Sequence, residues 1–494
     1  MNQRLWPVWL LSIGAFLLAT AMAWGVLGAM PHLEDEHANL FQAKVFASGR
    51  ITAAEVAVSP AAFYVPFILH VDGRVFGKYT PGYPLLLALG ALIGQPWLIN
   101  ALAAALSVWG VYLLGRDLYN HEVGVLAAAL GAVSPMTLML SGTLLAHTTT
   151  LTALVFGTWG FIRARRSDEQ RPQRFAVLAG GAIGWALISR PWTAIAIALP
   201  LALIAFNDLF NHPRRNIKRY AVMLLVCLLV LSIWPLYNWL ATGSPTTNTY
   251  TLWWSYDRVG FGDGYGRLDG GHSWDRALQN FDYDFPDLGA TVLGWPAIGS
   301  VSLTWVVVLL GLLWPEHNRR DWALLIPPVL LIVAHLAYWA RGGGLFGPRY
   351  YAEGLPFLWI IAARGLLKIS ATTRLHRAPR YAVQVVLPFL LAYNIVFTIE
   401  PRLLQGFDAY GLQRRHADRI ATAQLAPAIV FVRAVAWTDY ADLAWQNAPE
   451  VVDSPVLFAL DYGPLGNLAL TQAFPQRKVY YYDRAQSIPL VAGR

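Results

Sequence analysis

Three carboxylates in succession, Glu34, Asp35 and Glu36, follow directly on the first apolar stretch of the chain. An ionised carboxylate at the mouth of a membrane cavity can take a proton from an acceptor hydroxyl, or hold a divalent cation beside a phosphate. Acids also gather in the first turn of helices, where they complement the dipole. Three together, in a chain with only 13% charged residues, favour chemistry, with Asp35 and Glu36 as the candidate catalytic pair. Cations follow along the chain: Lys78 in GKYTPGYP, Arg190 in ISRPWT and Arg349 in GGGLFGPRYY. Hydropathy puts all three on the side of the membrane that Lys and Arg generally avoid. There they can cradle a lipid phosphate at headgroup depth. Tyr79 and Tyr350 beside them, with His147 in TLLAHTTT, complete a candidate substrate-binding set. A lone His at the start of a span serves as readily as an interfacial hydrogen-bonding group.

The elements that would position these groups are mostly apolar. Hydrophobic residues make up 56% of the 494 positions, which marks a polytopic membrane protein rather than a soluble domain. The 37 Lys and Arg against 29 Asp and Glu do not point to nucleic acid, because the basic residues cluster in short loops between spans. The single Cys227 lies in an apolar span, so no disulfide forms within the chain. Arg4 before the first span predicts a cytoplasmic N-terminus. Residues 31–81 then lie outside, with an amphipathic helix at 37–48 on the membrane surface and a short re-entrant or interfacial stretch at 85–93. Two basic loops, around Arg165 and Arg214, flank 175–206 and require an even number of crossings between them. The break falls at Pro191. A second outer loop, 241–290, interleaves aromatic residues with carboxylates, a composition that suits sugars. Spans near 291–314, 322–340, 352–367 and 382–399 complete about eleven crossings.

Residues 401–494 read differently. Short apolar runs at 428–435 and 455–460 and an alternating run at 477–482 predict three strands, with helices near 439–447 and 466–474. The expected fold is thus an all-α polytopic membrane protein, residues 1–400, with a small extracytoplasmic α/β domain in an accessory role. The chain holds no Walker motif, Rossmann fingerprint, HExxH or GxSxG, which leaves ATP, dinucleotide and serine-hydrolase chemistry unsupported. The loops on the basic side are too short to bind a soluble nucleotide-sugar, so a donor would be carried by the membrane.

The order of these features resembles the type C glycosyltransferases, in particular the polyprenyl-phosphate-dependent protein O-mannosyltransferases and the aminoarabinose transferase of lipid A. The likeness rests on the Asp35-Glu36 pair after the first span, TPGYPLLLA at 80–88, SPMTLMLSGTLLAHTT, ISRPW and GPRYY, and it covers roughly residues 1–370. It departs at Thr80, where the family's KPPL-type stretch has its lysine; Lys78 stands two residues earlier. The resemblance implies that Asp35 is the catalytic carboxylate and that Arg349, Lys78 and Arg190 bind the donor phosphate. It implies a polyprenyl-phosphate sugar as donor, and a protein, lipid or glycan hydroxyl as acceptor. The expected location is the inner or plasma membrane. A divalent cation, Mg or Mn, is left open. Transport or flipping of a lipid-linked saccharide is the competing expectation, and it calls for mid-span charges and paired repeats.

Overall fold

A computed structural model describes residues 5–313, 319–371, 378–484 and 491–492. Arg4 lies outside the described residues. Helix α1 (Trp6–Ala21) runs on through a π turn, Met22–Val26. Helix α2 (Glu34–Ala47) follows. Its N-terminus is closed by Glu36, whose carboxylate reaches back to the Leu33 N–H at 3.0 Å. Strands β1 (Ala53–Ala54), β2 (Ile68–Val71) and β3 (Arg74–Gly77) form a small antiparallel sheet. The turn at Asp72 and Gly73, both at positive φ, joins β2 to β3.

The bundle is built from α3 (Gly82–Leu92), α4 (Leu98–Leu118), α5 (His121–Ala132), α6 (Pro135–Ser141) and α7 (His147–Arg165). It continues with α8 (Pro172–Ser189), α9 (Pro191–Asn211), α10 (Pro213–Leu231) and α11 (Ile233–Thr242). Arg190 alone separates α8 from α9. Standing before Pro191, it is pushed out of the helical region to φ −142°, ψ 78°. Among the described residues, five helices are long and apolar enough to cross a membrane: Trp6–Val26, Leu98–Leu118, Pro191–Asn211, Pro213–Thr242 and Val385–Gly411. The pair α5 and α6, bent by 61°, makes a sixth if it is one span. Helix α7 is less apolar because it is rich in threonine, and those threonines turn inward: Thr148, Thr149, Thr150, Thr152 and Thr158 are all buried.

Helices α8 and α10 approach closely through Gly180 and Gly184, four residues apart. A Cβ at Gly180 would stand 2.2 Å from the Met223 carbonyl oxygen of α10. Gly180→Val is therefore expected to destabilise the bundle by about 1–3 kcal/mol. Gly181→Val, which meets only Val226 at ordinary contact distance, is the control. Equal thermal unfolding midpoints for the two variants would refute the close approach.

The second loop holds α12 (Thr249–Trp253) and α13 (Trp274–Thr291). After it the expected span at 291–314 is only partly helical. Strands β4 (Ala297–Ile298) and β5 (Val301–Ser302) form a hairpin first, turning at Gly299 with φ +57°, and α14 (Leu303–Leu313) begins after it. Helix α15 (Arg319–Leu336), a 3₁₀ turn (Arg349–Gly354), α16 (Leu355–Ala371) and α17 (Ala378–Tyr393) complete the bundle. Its core centres on fully buried Trp359, Phe357 and Leu331. At the bundle end bearing the basic loops, Asp321 is paired with Arg364 at 2.8 Å and Lys368 at 3.4 Å, and Arg165 with Asp208 at 2.6 Å.

Beyond α18 (Glu400–Gly406) and α19 (Arg414–Thr422) lie β6 (Ala428–Arg433), α20 (Trp437–Ala444), β7 (Val456–Leu460), α21 (Gly463–Ala473), β8 (Lys478–Asp483) and β9 (Val491–Ala492). The sheet order is β7-β6-β8-β9, parallel except for β9. This sheet does not stand apart. Val430, Val432, Tyr440 and Phe458 share one core with Ala38 and Val45 of α2 and with Val65, Phe67 and Val75 of the 53–77 region.

That shared core corrects one expectation. Helix α2 does not lie on a lipid surface with one apolar face. Leu40 and Ala43 pack on Tyr83 and Leu87 of α3, while Ala38 and Val45 pack toward the C-terminal sheet. The helix is buried on two sides, a wedge between bundle and sheet.

Candidate active site

A cavity of ≈ 1430 Å³ opens where α2, the start of α7, the α8–α9 break, α11, the second loop and the turn before Arg349 converge. It brings together Asp35, Lys78, Tyr79, His147, Arg190, Arg349 and Tyr350, which are scattered over more than three hundred positions of sequence. Its wall also includes Ile195, Leu231 and Trp234 of the long apolar helices α9 to α11.

Asp35 sits in the first turn of α2, where the N-terminal dipole favours an ionised carboxylate. The Tyr79 hydroxyl donates to its Oδ1. Its Oδ2 faces Arg349, with Nη2 at 3.7 Å, a loose ion pair. Arg349 is itself tied down: its Nη1 donates to the carbonyls of Gly342 at 3.2 Å and Gly343 at 3.4 Å.

Glu36 stands apart from the cavity. It is fully buried and accepts N–H bonds from His32 at 2.9 Å, Leu33 at 3.0 Å and Leu144 at 2.6 Å. Its support for Asp35 is positional: it fixes the turn that carries Asp35 and staples it to the segment before α7. Burial drives its carboxyl up to about 7, against the pull of the three N–H groups. A raised native pKa means that the folded state holds the proton when the unfolded chain has lost it. Stability from this group is thus present below the ordinary value of 4.5 and is lost as pH rises through about 7. Wild type is expected to lose thermal stability across that window relative to Glu36→Gln, whose profile should be flatter; parallel profiles would refute it.

Lys78 is more enclosed than the sequence suggested. Its Nζ lies 3.1 Å from Asp257 Oδ2, with side-chain exposures of 4% and 1%. Four rings surround it, the centroids of Phe67 at 3.8 Å, Trp254 at 4.9 Å, Tyr250 at 5.3 Å and Tyr79 at 5.4 Å. Asp257 Oδ1 in turn accepts from the Tyr338 hydroxyl at 2.9 Å and from Trp339 Nε1 at 3.2 Å. The ammonium therefore locks the second loop onto the end of β3.

Arg190 and His147 meet at a carboxylate that the sequence reading missed. Arg190 Nε and His147 Nδ1 are each 3.1 Å from Oε1 of the buried Glu353. Tyr350 lies between the two arginines, whose guanidinium carbons stand 5.7 Å (Arg190) and 5.6 Å (Arg349) from its ring centre. The same ring stacks on His335 at 5.3 Å. Glu34, Tyr250, Trp254 and Asp257 also line the cavity. Asp257 belongs to the aromatic and acidic loop already singled out, and Glu353 follows Arg349 by about one helical turn, so a spacing signal existed for both.

Among the described residues no group of three or more His, Cys, Asp or Glu stands close enough to hold a metal ion. The described residues thus do not assemble such a donor set for a divalent cation.

Residues 78–239 match the family described as dolichyl-phosphate-mannose-protein mannosyltransferase. The match takes in Lys78, Tyr79, His147 and Arg190, and leaves Asp35 and Arg349 outside. Among solved structures the chain is similar to ArnT from Cupriavidus metallidurans bound to undecaprenyl phosphate, at TM-score 0.54 and 12% identity over 95% of this chain and 92% of that one. It is also similar to the Archaeoglobus fulgidus oligosaccharyltransferase tethered with an acceptor peptide, at TM-score 0.54 and 16% identity over 94% of this chain. The same enzyme, AglB, with an inhibitory peptide and a dolichol-phosphate gives 0.52 and 15% over 92%. The chain spans 64% of the length of that oligosaccharyltransferase. A comparison with curated protein sequences finds no match. The chain has the fold of the type C membrane glycosyltransferases. Over residues 78–239 it resembles the protein O-mannosyltransferases, and in fold it resembles ArnT.

Proposed function

We propose that this protein is an integral-membrane glycosyltransferase that moves a sugar from a polyprenyl-phosphate donor to an acceptor hydroxyl on the extracytoplasmic face. The observation that carries this reading is a cavity in which a tethered carboxylate is paired loosely with a guanidinium, beside apolar helices that can guide a lipid chain. The acceptor hydroxyl gives its proton to Asp35 as its oxygen bonds to the anomeric carbon. The bond from that carbon to the phosphate oxygen breaks, and the electron pair leaves with the polyprenyl phosphate. Arg349 and Arg190, on either side of Tyr350, neutralise the charge that develops there. Tyr79 orients the carboxylate and Glu36 holds its helix. One displacement inverts the anomeric centre. Lys78 serves chiefly to hold the second loop.

In this reading the bundle, residues 1–400, crosses an inner or plasma membrane about eleven times from a cytoplasmic N-terminus, and residues 401–494 lie outside. The likenesses above are all to glycosyltransferases, which favours transfer over transport. The test is a transfer assay on purified protein with radiolabelled polyprenyl-phosphate sugars and a cell-envelope extract. Label reaching an acceptor supports the reading; tight donor binding with no transfer under any acceptor condition would overturn it.

A further inference from the structure

Arg349 is held by a turn that has little rigidity of its own. Residues 342–344 are all glycine, Gly344 and Gly347 adopt φ +109° and +74°, and the Arg349 N–H closes back on Gly347 O at 2.7 Å. A chain so free in the unfolded state needs an outside brace to fix one guanidinium opposite one carboxylate. The brace comes from the C-terminal end of the last long apolar helix, Val385–Gly411. Arg402 Nη1 donates to Leu345 O at 3.1 Å, and its Nη2 pairs with Asp287 of α13 at 2.5 Å. The Tyr410 hydroxyl lies over Gly344, 3.2 Å from where a Cβ there would stand, and its ring stands 6.3 Å from that of fully buried Phe346.

Tyr410 reaches this place at a cost. Its φ of +55° is in the left-handed region, where a tyrosine is strained unless its surroundings hold it. They do hold it. Ala409 and Leu412 are buried on either side, and Arg414 donates to Gly28 O at 2.9 Å, at the end of the first span. Tyr410 is also part of the cavity wall.

We infer that Arg402 and Tyr410 are positioning residues of the active site: the C-terminal end of the last long apolar helix clamps the 342–347 turn and so aims Arg349 at Asp35. The inference rests on the proposed function for what Arg349 binds, but not for the clamp itself. The C-terminal segment is therefore a working part of the site rather than an appendage.

Two readouts separate the clamp from the function. The first is the rate at which phenylglyoxal modifies Arg349 in the full-length protein, read by mass spectrometry, with Arg190 as internal reference. Tyr410→Phe and Arg402→Gln are expected to raise Arg349 labelling several-fold and leave Arg190 unchanged. Arg349 labelling equal to wild type in both variants would overturn the inference, as would a parallel rise at Arg190, which means general loosening. The second is binding of undecaprenyl phosphate. Tyr410→Phe is expected to weaken it about fivefold, and to have no further effect in an Arg349→Ala background. Additive losses would refute action through Arg349. If wild type binds no undecaprenyl phosphate while the labelling still changes, the clamp stands and the proposed function falls.

Discussion

Asp35→Asn is expected to lower the turnover of sugar transfer by roughly 100- to 10,000-fold, the range for losing a positioned general base. Asn keeps the shape and can still accept from Tyr79, so the fold and the cavity should survive. What disappears is the ability to take the acceptor proton and the charge opposite Arg349. Donor affinity should hold or rise, since the guanidinium no longer has an internal anion to share. Measured as initial rates with a radiolabelled donor beside equilibrium binding of undecaprenyl phosphate, the signature is a fall in kcat without weaker binding. Full transfer by a folded Asp35→Asn protein would remove Asp35 from the mechanism.

The second large effect concerns Lys78. Lys78→Met leaves Asp257 without its cation at a site where the carboxylate is almost wholly enclosed. Breaking one partner of such a pair costs about 3–5 kcal/mol. The thermal unfolding midpoint should drop and the second loop should become sensitive to protease. Adding Asp257→Asn removes the stranded charge and keeps an acceptor for Tyr338 and Trp339, so much of the loss should return. That double variant also settles what Lys78 does. If stability and donor binding recover together, the lysine is a lock. If stability recovers and binding of undecaprenyl phosphate does not, Lys78 is a phosphate ligand, as the family resemblance implies.

The cations and acids that line the cavity were legible because each stood against a bias: carboxylates in a chain with few charges, and arginines on the side where arginine is rare. Arg190 was placed by Pro191, a local rule that needs no tertiary knowledge. Partners were much harder to read. Glu353 and Asp257 are single acids whose roles depend on which helix lies opposite. Glu36 and Asp35 are neighbours in sequence with different fates, because successive positions on a helix point about 100° apart. The α2 helix was misjudged for a related reason. Its residues at 40, 41, 44, 45 and 48 mark one face, yet a wedge between two bodies needs two, and the second body is built from the far end of the chain.

That distance has a consequence for how the protein is made. Lys44 of α2 donates to the backbone carbonyl of Trp445, 401 residues away. The carboxylate-bearing helix is thus synthesised some four hundred residues before the sheet that covers it. Until those strands are translated and docked, α2 presents a bare flank. Such a nascent chain can have its spans in the bilayer and still be inert. On the proposed function, sugar transfer would then begin only once those strands have docked.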